Sequence, residues 1–148
     1  MKYILGLGSN LGEKELLILQ AVSMIKERIG DVQEISSMYK SAPIGFESEN
    51  EFLNCCISIE TVLSPLILLK EIKKIEGELG RSYTTTGYED RLIDIDIILG
   101  EKKISQGKLK IPHPRYASRE FVLLPLNDLS EFIDPLTFLK SYQLNAYC

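Results

Sequence analysis

The chain has 148 residues, 45% of them hydrophobic and 26% charged, a composition with room for one hydrophobic core and little room for two. No run approaches the roughly 20 apolar residues a membrane span needs, and a net charge of −4 argues against a generic nucleic-acid binder. Three cysteines without metal-ligand spacing, and a single histidine, argue against a disulfide framework or a zinc site.

In chain order, residues 2–7 read as a strand, closed by the turn Gly8-Ser9-Asn10-Leu11-Gly12. The strand begins at once, too early for a signal peptide, so the expected compartment is the cytosol. Residues 13–29 read as a helix, with Ile18, Ala21, Val22, Ile25 and Ile29 on one face and Gly30 as its stop. Residues 32–40 read as a second strand, followed by a turn at 42–45 and an acidic loop carrying Glu47, Glu49 and Glu51. Residues 52–63 form an expected third strand, on which the adjacent Cys55 and Cys56 face opposite sides of the sheet. Ser64 and Pro65 are suited to N-cap and first helical position of a second helix, whose apolar stripe is Leu66, Leu69, Ile72, Ile75 and Leu79. After a polar loop at 81–91, residues 92–99 read as the fourth strand.

The order β-α-β-β-α-β predicts an α+β, ferredoxin-like fold, a four-stranded antiparallel sheet with helices on one face. From Gly100 onward the chain reads as an appended hairpin, a Pro-flanked loop and short helical segments, all within one domain spanning residues 1–148. Such a fold does not name a function.

The chemistry concentrates in two segments. In Arg91-Leu92-Ile93-Asp94-Ile95-Asp96-Ile97-Ile98, the two aspartates are two apart on a strand and so share a face, while Ile93, Ile95 and Ile97 turn to the other. Carboxylates about 7 Å apart repel, and a hard divalent cation would compensate them. A solvent-facing strand carrying two aspartates is the plainer alternative. The second segment, Lys102 to Arg119, holds six basic residues and no acidic one, leaving −10 on the rest of the chain. A solvated basic loop would account for it. So would an anion site, because a magnesium-nucleotide site needs cations for the phosphate oxygens the metal leaves uncovered. His113 lies between Pro112 and Pro114, in a loop, where a ligand contact is favoured over a structural role. Gly6, Gly8 and Gly12 match neither phosphate-binding glycine pattern and read as a tight strand-to-helix turn.

Taken together, these blocks resemble the 6-hydroxymethyl-7,8-dihydropterin pyrophosphokinases of folate biosynthesis, from the first strand to about Asp128. The resemblance rests on residues 8–12, 37–45 and 52–54, on 75–81, on Arg91-Leu92-Ile93-Asp94-Ile95-Asp96-Ile97, and on Ile111-Pro112-His113-Pro114-Arg115 with Arg119 to Leu126. It implies transfer of pyrophosphate from ATP to a hydroxymethyl dihydropterin with release of AMP, and two Mg2+ ions held by Asp94 and Asp96. It further implies that Arg81 and Arg91 neutralise phosphate charge, that His113 and Arg119 contact the triphosphate, and that Glu76 and Ile97 lie beside the nucleotide. Asn54 would bond the pterin edge, Phe52 and Phe121 would stack on its faces, and Ser41, Ala42, Ile44 and Asp94 would complete the pterin pocket. ATP and the pterin are the expected partners of a monomer or homodimer, with no nucleic acid and no membrane. The sequence departs from the family pattern at Tyr88-Glu89-Asp90, where an aromatic residue and a Gly-Pro pair are usual. Residues 81–91 are expected to form a lid that orders over both substrates. A ferredoxin-like nucleotide-binding or regulatory module without catalysis is the alternative.

Overall fold

The computed structural model describes residues 1–42, 51–80 and 92–129. Its elements are β1 (Lys2–Ser9), α1 (Lys14–Arg28), β2 (Asp31–Ile35), β3 (Tyr39–Ser41), β4 (Phe52–Glu60), α2 (Pro65–Glu78), β5 (Asp94–Gly100), β6 (Ile104–Gln106), β7 (Leu109–Ile111) and α3 (Glu120–Asn127). A 3-10 turn at Tyr116–Ser118 leads into α3. The main sheet runs β2-β4-β1-β5, with β3 also on β4, and every pairing is antiparallel. This is the ferredoxin-like order with its second strand in two pieces, and β6 and β7 form the appended hairpin.

The break in the second strand has a local cause. Ser36 bonds through its N–H to the Cys56 carbonyl, and its hydroxyl accepts the Cys56 N–H, a job a backbone carbonyl would do in a regular ladder. The next residue turns away, because the Ser37 N–H donates to Asp128 Oδ2 at the end of α3. A strand expected to run unbroken over 32–40 is therefore β2, a three-residue detour, and β3. Other boundaries move too. β1 runs through Gly8 to Ser9, β4 ends at Glu60 rather than 63, and β5 begins at Asp94 rather than Leu92.

Each face of the sheet has its own core. On one side α1 contributes the buried Ile18, Ala21, Val22 and Ile25, as its periodicity predicts. The buried face of α2 is Leu68, Ile72, Ile75 and Glu76, so the expected stripe is off by part of a turn. Leu66 is exposed and Leu68 takes the inward position, because both lie in the apolar run Leu66-Ile67-Leu68-Leu69, where pattern alone cannot choose the face. Cys55, Ile93, Ile95 and Ile97 point into this helix-side core. On the other face, α3 and the 3-10 turn cover a smaller cluster of Ile4, Cys56, Ile98, Leu99, Tyr116, Leu123 and Leu126. Cys55 and Cys56 thus point to opposite sides, and burial pushes the Cys55 thiol up to about 12 and the Cys56 thiol up as well. Both are packing residues rather than nucleophiles. Among the described residues, no helix is long and apolar enough to cross a membrane.

Candidate active site

Among the described residues, α3 covers only part of its face of the sheet, and beside it lies a cleft of about 690 Å³, open mouth included. Its floor follows from strand register. Gly8 of β1 lies opposite Asn54 of β4 on one side and Asp94 of β5 on the other, and Gly6 lies opposite Cys56 and Asp96. Two rows therefore cross the sheet, Asn54–Gly8–Asp94 and Cys56–Gly6–Asp96, with glycine at the centre of each. Period-two alternation puts all six on one face.

The glycines keep this floor low. A Cβ on Gly8 would stand 3.1 Å from Asn54 Oδ1 and 3.7 Å from Phe52 Cδ1, and one on Gly6 would meet Ile98 Cδ1 at 3.2 Å. Gly6 and Gly8 are consequently strand residues that line the cleft, not parts of the turn assigned to them from sequence. Only Gly12 serves the turn, with a φ of 68° that other residues rarely adopt. The legible signal was their spacing of two inside a strand pattern, which marks a close approach to the backbone.

Asn54 is buried, and its orientation is set by the protein. Its Nδ2 donates to the Tyr39 carbonyl at 3.2 Å and to Ser41 Oγ at 2.8 Å. A carbonyl can only accept, so the amide nitrogen must face Tyr39, and Oδ1 is turned over Gly8 as an acceptor. Tyr39 is held in turn by its hydroxyl, which donates to the Asp128 carboxylate, an interaction that pushes the phenol pKa up. Phe52 lines the cleft from β4, and Phe121 lines it from α3. The Arg119 guanidinium sits 5.4 Å from the Phe121 ring centroid, within cation–π range, and it also borders the cleft.

Eight of the residues singled out from sequence are thus brought together around one cleft: Ser41, Ala42, Phe52, Asn54, Asp94, Asp96, Arg119 and Phe121. Asp94 and Asp96 are partly exposed there, so their carboxylates are open to a ligand in the cleft. Among the described residues no three His, Cys, Asp or Glu side chains cluster as a complete metal cage. The pair suits an ion that takes one or two carboxylates and completes its shell with phosphate and water, which is the habit of magnesium.

His113 stands beside this group. Its N–H donates to the Ile98 carbonyl at 2.8 Å, and its Nδ1 accepts the Arg115 N–H at 3.2 Å. Desolvation holds its pKa below the ordinary value, Arg119 and Arg115 lower it further, and Asp94 partly opposes them. With Nδ1 accepting, the neutral ring carries its proton on Nε2, ready to donate.

Two expected contacts fall elsewhere. The Ile97 side chain lies in the helix-side core, so any part it takes at the nucleotide falls to its backbone. Glu76 is wholly buried on α2, and its Oε2 accepts the Ile95 N–H at 2.8 Å. Ile44, Arg81, Arg91 and the expected lid at 81–91 lie outside the described residues. Sequence reasoning missed Gly6, Gly8, Cys56, Ile98 and Val122 as lining residues, and Asp128 as a support.

Comparison with known proteins bears on this arrangement. The model of the 7,8-dihydro-6-hydroxymethylpterin-pyrophosphokinase (HPPK) family matches residues 4–131. A 2-amino-4-hydroxy-6-hydroxymethyldihydropteridine pyrophosphokinase from Porphyromonas gingivalis is 39% identical over 135 residues, covering 88% of this chain and 92% of its own. The Bacillus subtilis protein of the same name is 36% identical over 132 residues, covering 88% of this chain and 78% of its own. The crystal structure of Plasmodium falciparum HPPK-DHPS wild type with pteroate superposes with a TM-score of 0.77 at 17% identity. That match covers 99% of this chain but 42% of the longer one, and it speaks for the fold alone. With a family model that spans most of the chain and relatives this similar along most of their length, the chain belongs to the 7,8-dihydro-6-hydroxymethylpterin-pyrophosphokinase family.

Proposed function

We propose that this cleft is where pyrophosphate passes from ATP to the hydroxymethyl group of 6-hydroxymethyl-7,8-dihydropterin, the folate-pathway reaction of the family, with the pterin at the Asn54 end and the phosphates at the Asp94–Asp96 end. The observation that carries this reading is the pair of rows across the sheet, which sets an oriented acceptor and two carboxylates on opposite sides of a glycine floor. A flat heterocycle over Gly8 meets Asn54 Oδ1 along an edge, with Phe52 and Phe121 as its apolar walls and Ser41 and Ala42 at its rim. Ile44 completes the pterin set.

Asp94 and Asp96 fit magnesium by donor type and exposure, and the ion, bound with ATP, supplies charge neutralisation on the phosphate oxygens. Arg119 and the Nε2–H of His113 contribute donors to the same phosphates, and Arg81 and Arg91 are assigned to them as well. The reaction needs no covalent enzyme intermediate. The hydroxymethyl oxygen forms a bond to the β-phosphorus, the bond from that phosphorus to the α–β bridging oxygen breaks, and the electron pair leaves with AMP. The hydroxyl proton is lost to solvent or phosphate. The contribution of the chain is positioning and electrostatic stabilisation. This reading treats residues 1–148 as one catalytic unit acting in the cytosol, as a monomer or a homodimer.

The test is AMP release from ATP with the hydroxymethyl dihydropterin as acceptor. AMP formed only when both substrates and magnesium are present supports the reading. A protein that binds ATP without magnesium dependence and releases no AMP is a regulatory module instead.

A further inference from the structure

β5 carries both aspartates and, among the described residues, is the last strand of the sheet and pairs with β1 alone. An edge strand of this kind has N–H and C=O groups directed outward, and without partners they leave it free to twist or fray. Two groups from outside the sheet meet that edge. The His113 N–H donates to the Ile98 carbonyl at 2.8 Å, and Glu76 Oε2 accepts the Ile95 N–H at 2.8 Å. Ile95 is the residue between Asp94 and Asp96.

Glu76 is a costly choice for the second task. It is the charged member of the buried face of α2, with an exposure of 0%, among Leu68, Ile72 and Ile75. Its other oxygen lies 3.6 Å from the Nζ of Lys73, one helical turn back and half exposed. Burying a carboxylate is unfavourable unless hydrogen bonds and charge partners compensate it. An apolar residue here would pack the helix more cheaply, so the reason for the carboxylate lies in what it holds. It holds the amide at the centre of the Asp-Ile-Asp segment. Ile95 buries its side chain under α1 and α2 and gives its N–H to Glu76, which locks the backbone from two directions. The side chains of Asp94 and Asp96 leave the strand on the opposite face from that anchor, so the anchored peptide fixes the direction of both.

We propose that Glu76 is a positioning residue for the aspartate pair: by accepting the Ile95 N–H on the open edge of β5, it sets the spacing and direction of Asp94 and Asp96 without touching substrate. The proposal rests on the reading of those aspartates as the metal-holding pair. It differs from the nucleotide contact implied for Glu76 by resemblance, since the carboxylate is enclosed on the helix side of the sheet.

The experiment compares wild type, Glu76→Gln, Glu76→Leu and Asp94→Ala by two readouts. The first is exchange of the Ile95 amide in the ligand-free protein, followed by NMR. The second is the Mn2+ concentration needed for half-saturation in the presence of a non-hydrolysable ATP analogue. Glutamine keeps an oxygen acceptor, and leucine does not. The expected result is a protected Ile95 amide in wild type and Glu76→Gln, at least tenfold faster exchange in Glu76→Leu, and a Mn2+ midpoint raised at least tenfold in Glu76→Leu but less than threefold in Glu76→Gln. An equal rise of the Mn2+ midpoint in the Gln and Leu variants would overturn the proposal in favour of a charge contact. Unchanged Mn2+ binding in a folded Glu76→Leu would reduce Glu76 to packing. If Glu76→Leu does not fold, wild type still decides, because fast exchange at Ile95 overturns the anchor. Unaltered Mn2+ binding in Asp94→Ala would instead remove the metal reading itself, whatever Glu76 does.

Discussion

Asn54→Leu isolates the pterin end of the cleft. The substitution keeps side-chain volume near constant but removes the Nδ2 bonds to the Tyr39 carbonyl and Ser41 Oγ, and the Oδ1 acceptor over Gly8. Two protein groups lose a partner in the free protein. An unsatisfied buried group costs about 1–3 kcal/mol, and Ser41 can turn to solvent, so the expected loss of stability is about 1–2 kcal/mol. In the complex, a pterin N–H that should meet Oδ1 meets a methyl group instead. That costs a further ~2 kcal/mol, or about a thirtyfold weaker Kd. Nucleotide binding should change less than threefold, because Asp94, Asp96, Arg119 and His113 are untouched. Calorimetric titration of pterin and, separately, of a magnesium-ATP analogue measures both numbers, and thermal unfolding measures the first. Ser41→Ala is the graded control: it removes one Nδ2 partner, so pterin binding should fall by about 1 kcal/mol with Oδ1 less firmly held. Equal weakening of both ligands by Asn54→Leu, or full pterin affinity in that variant, would refute the assignment of Asn54 to the pterin edge.

Asp94→Ala and Asp96→Ala should each leave a folded protein with turnover lowered at least a hundredfold, about 2.7 kcal/mol of transition-state stabilisation, measured as AMP release at saturating magnesium. Near-full activity in either variant would exclude the two-aspartate mechanism. Gly8→Ala should weaken pterin binding by tenfold or more, because its Cβ would rise 3.1 Å from Asn54 Oδ1, while Gly6→Ala should be milder, since its nearest contact is the end of the flexible Ile98 side chain. Calorimetry ranks the two, and the reverse order would show that the pterin does not lie over Gly8. His113 is the only histidine, so one NMR titration of the ligand-free protein reads it, with a midpoint expected below 6.5. Between that lowered value and 6.5 the unfolded chain binds more protons, so this histidine's contribution to stability is complete above 6.5 and is lost as pH falls through the folded midpoint. Arg119→Ala should raise the midpoint and Asp94→Ala should lower it, as judged by the same titration.

Local pattern determined much of this protein. The α1 face, the antiparallel βαββαβ order and the opposite facing of Cys55 and Cys56 follow from periods of 3.6 and 2, which are properties of the chain itself. The same period put Asp94 and Asp96 on one face and the isoleucines on the other. The motif blocks pointed to the family by resemblance, while the co-facial aspartates and the basic segment by themselves left a solvated strand and a solvated loop as alternatives. Tertiary structure decided what depends on a neighbour far along the chain. Gly6 and Gly8 became a floor only when β4 and β5 paired on either side of them; their spacing of two hints at a close approach, but only the pairing says to what. The second strand broke at Ser36 because a serine hydroxyl replaced a ladder carbonyl and Asp128, 91 residues away, drew off the Ser37 amide. Within Leu66-Ile67-Leu68-Leu69 all four residues are apolar, so only contact with the sheet could choose Leu68 for the core. Glu76 has the same origin. A glutamate on a helix reads as solvated until β5 is seen to bring the Ile95 amide against it, and a hydrogen bond between residues 19 apart leaves no mark in local sequence.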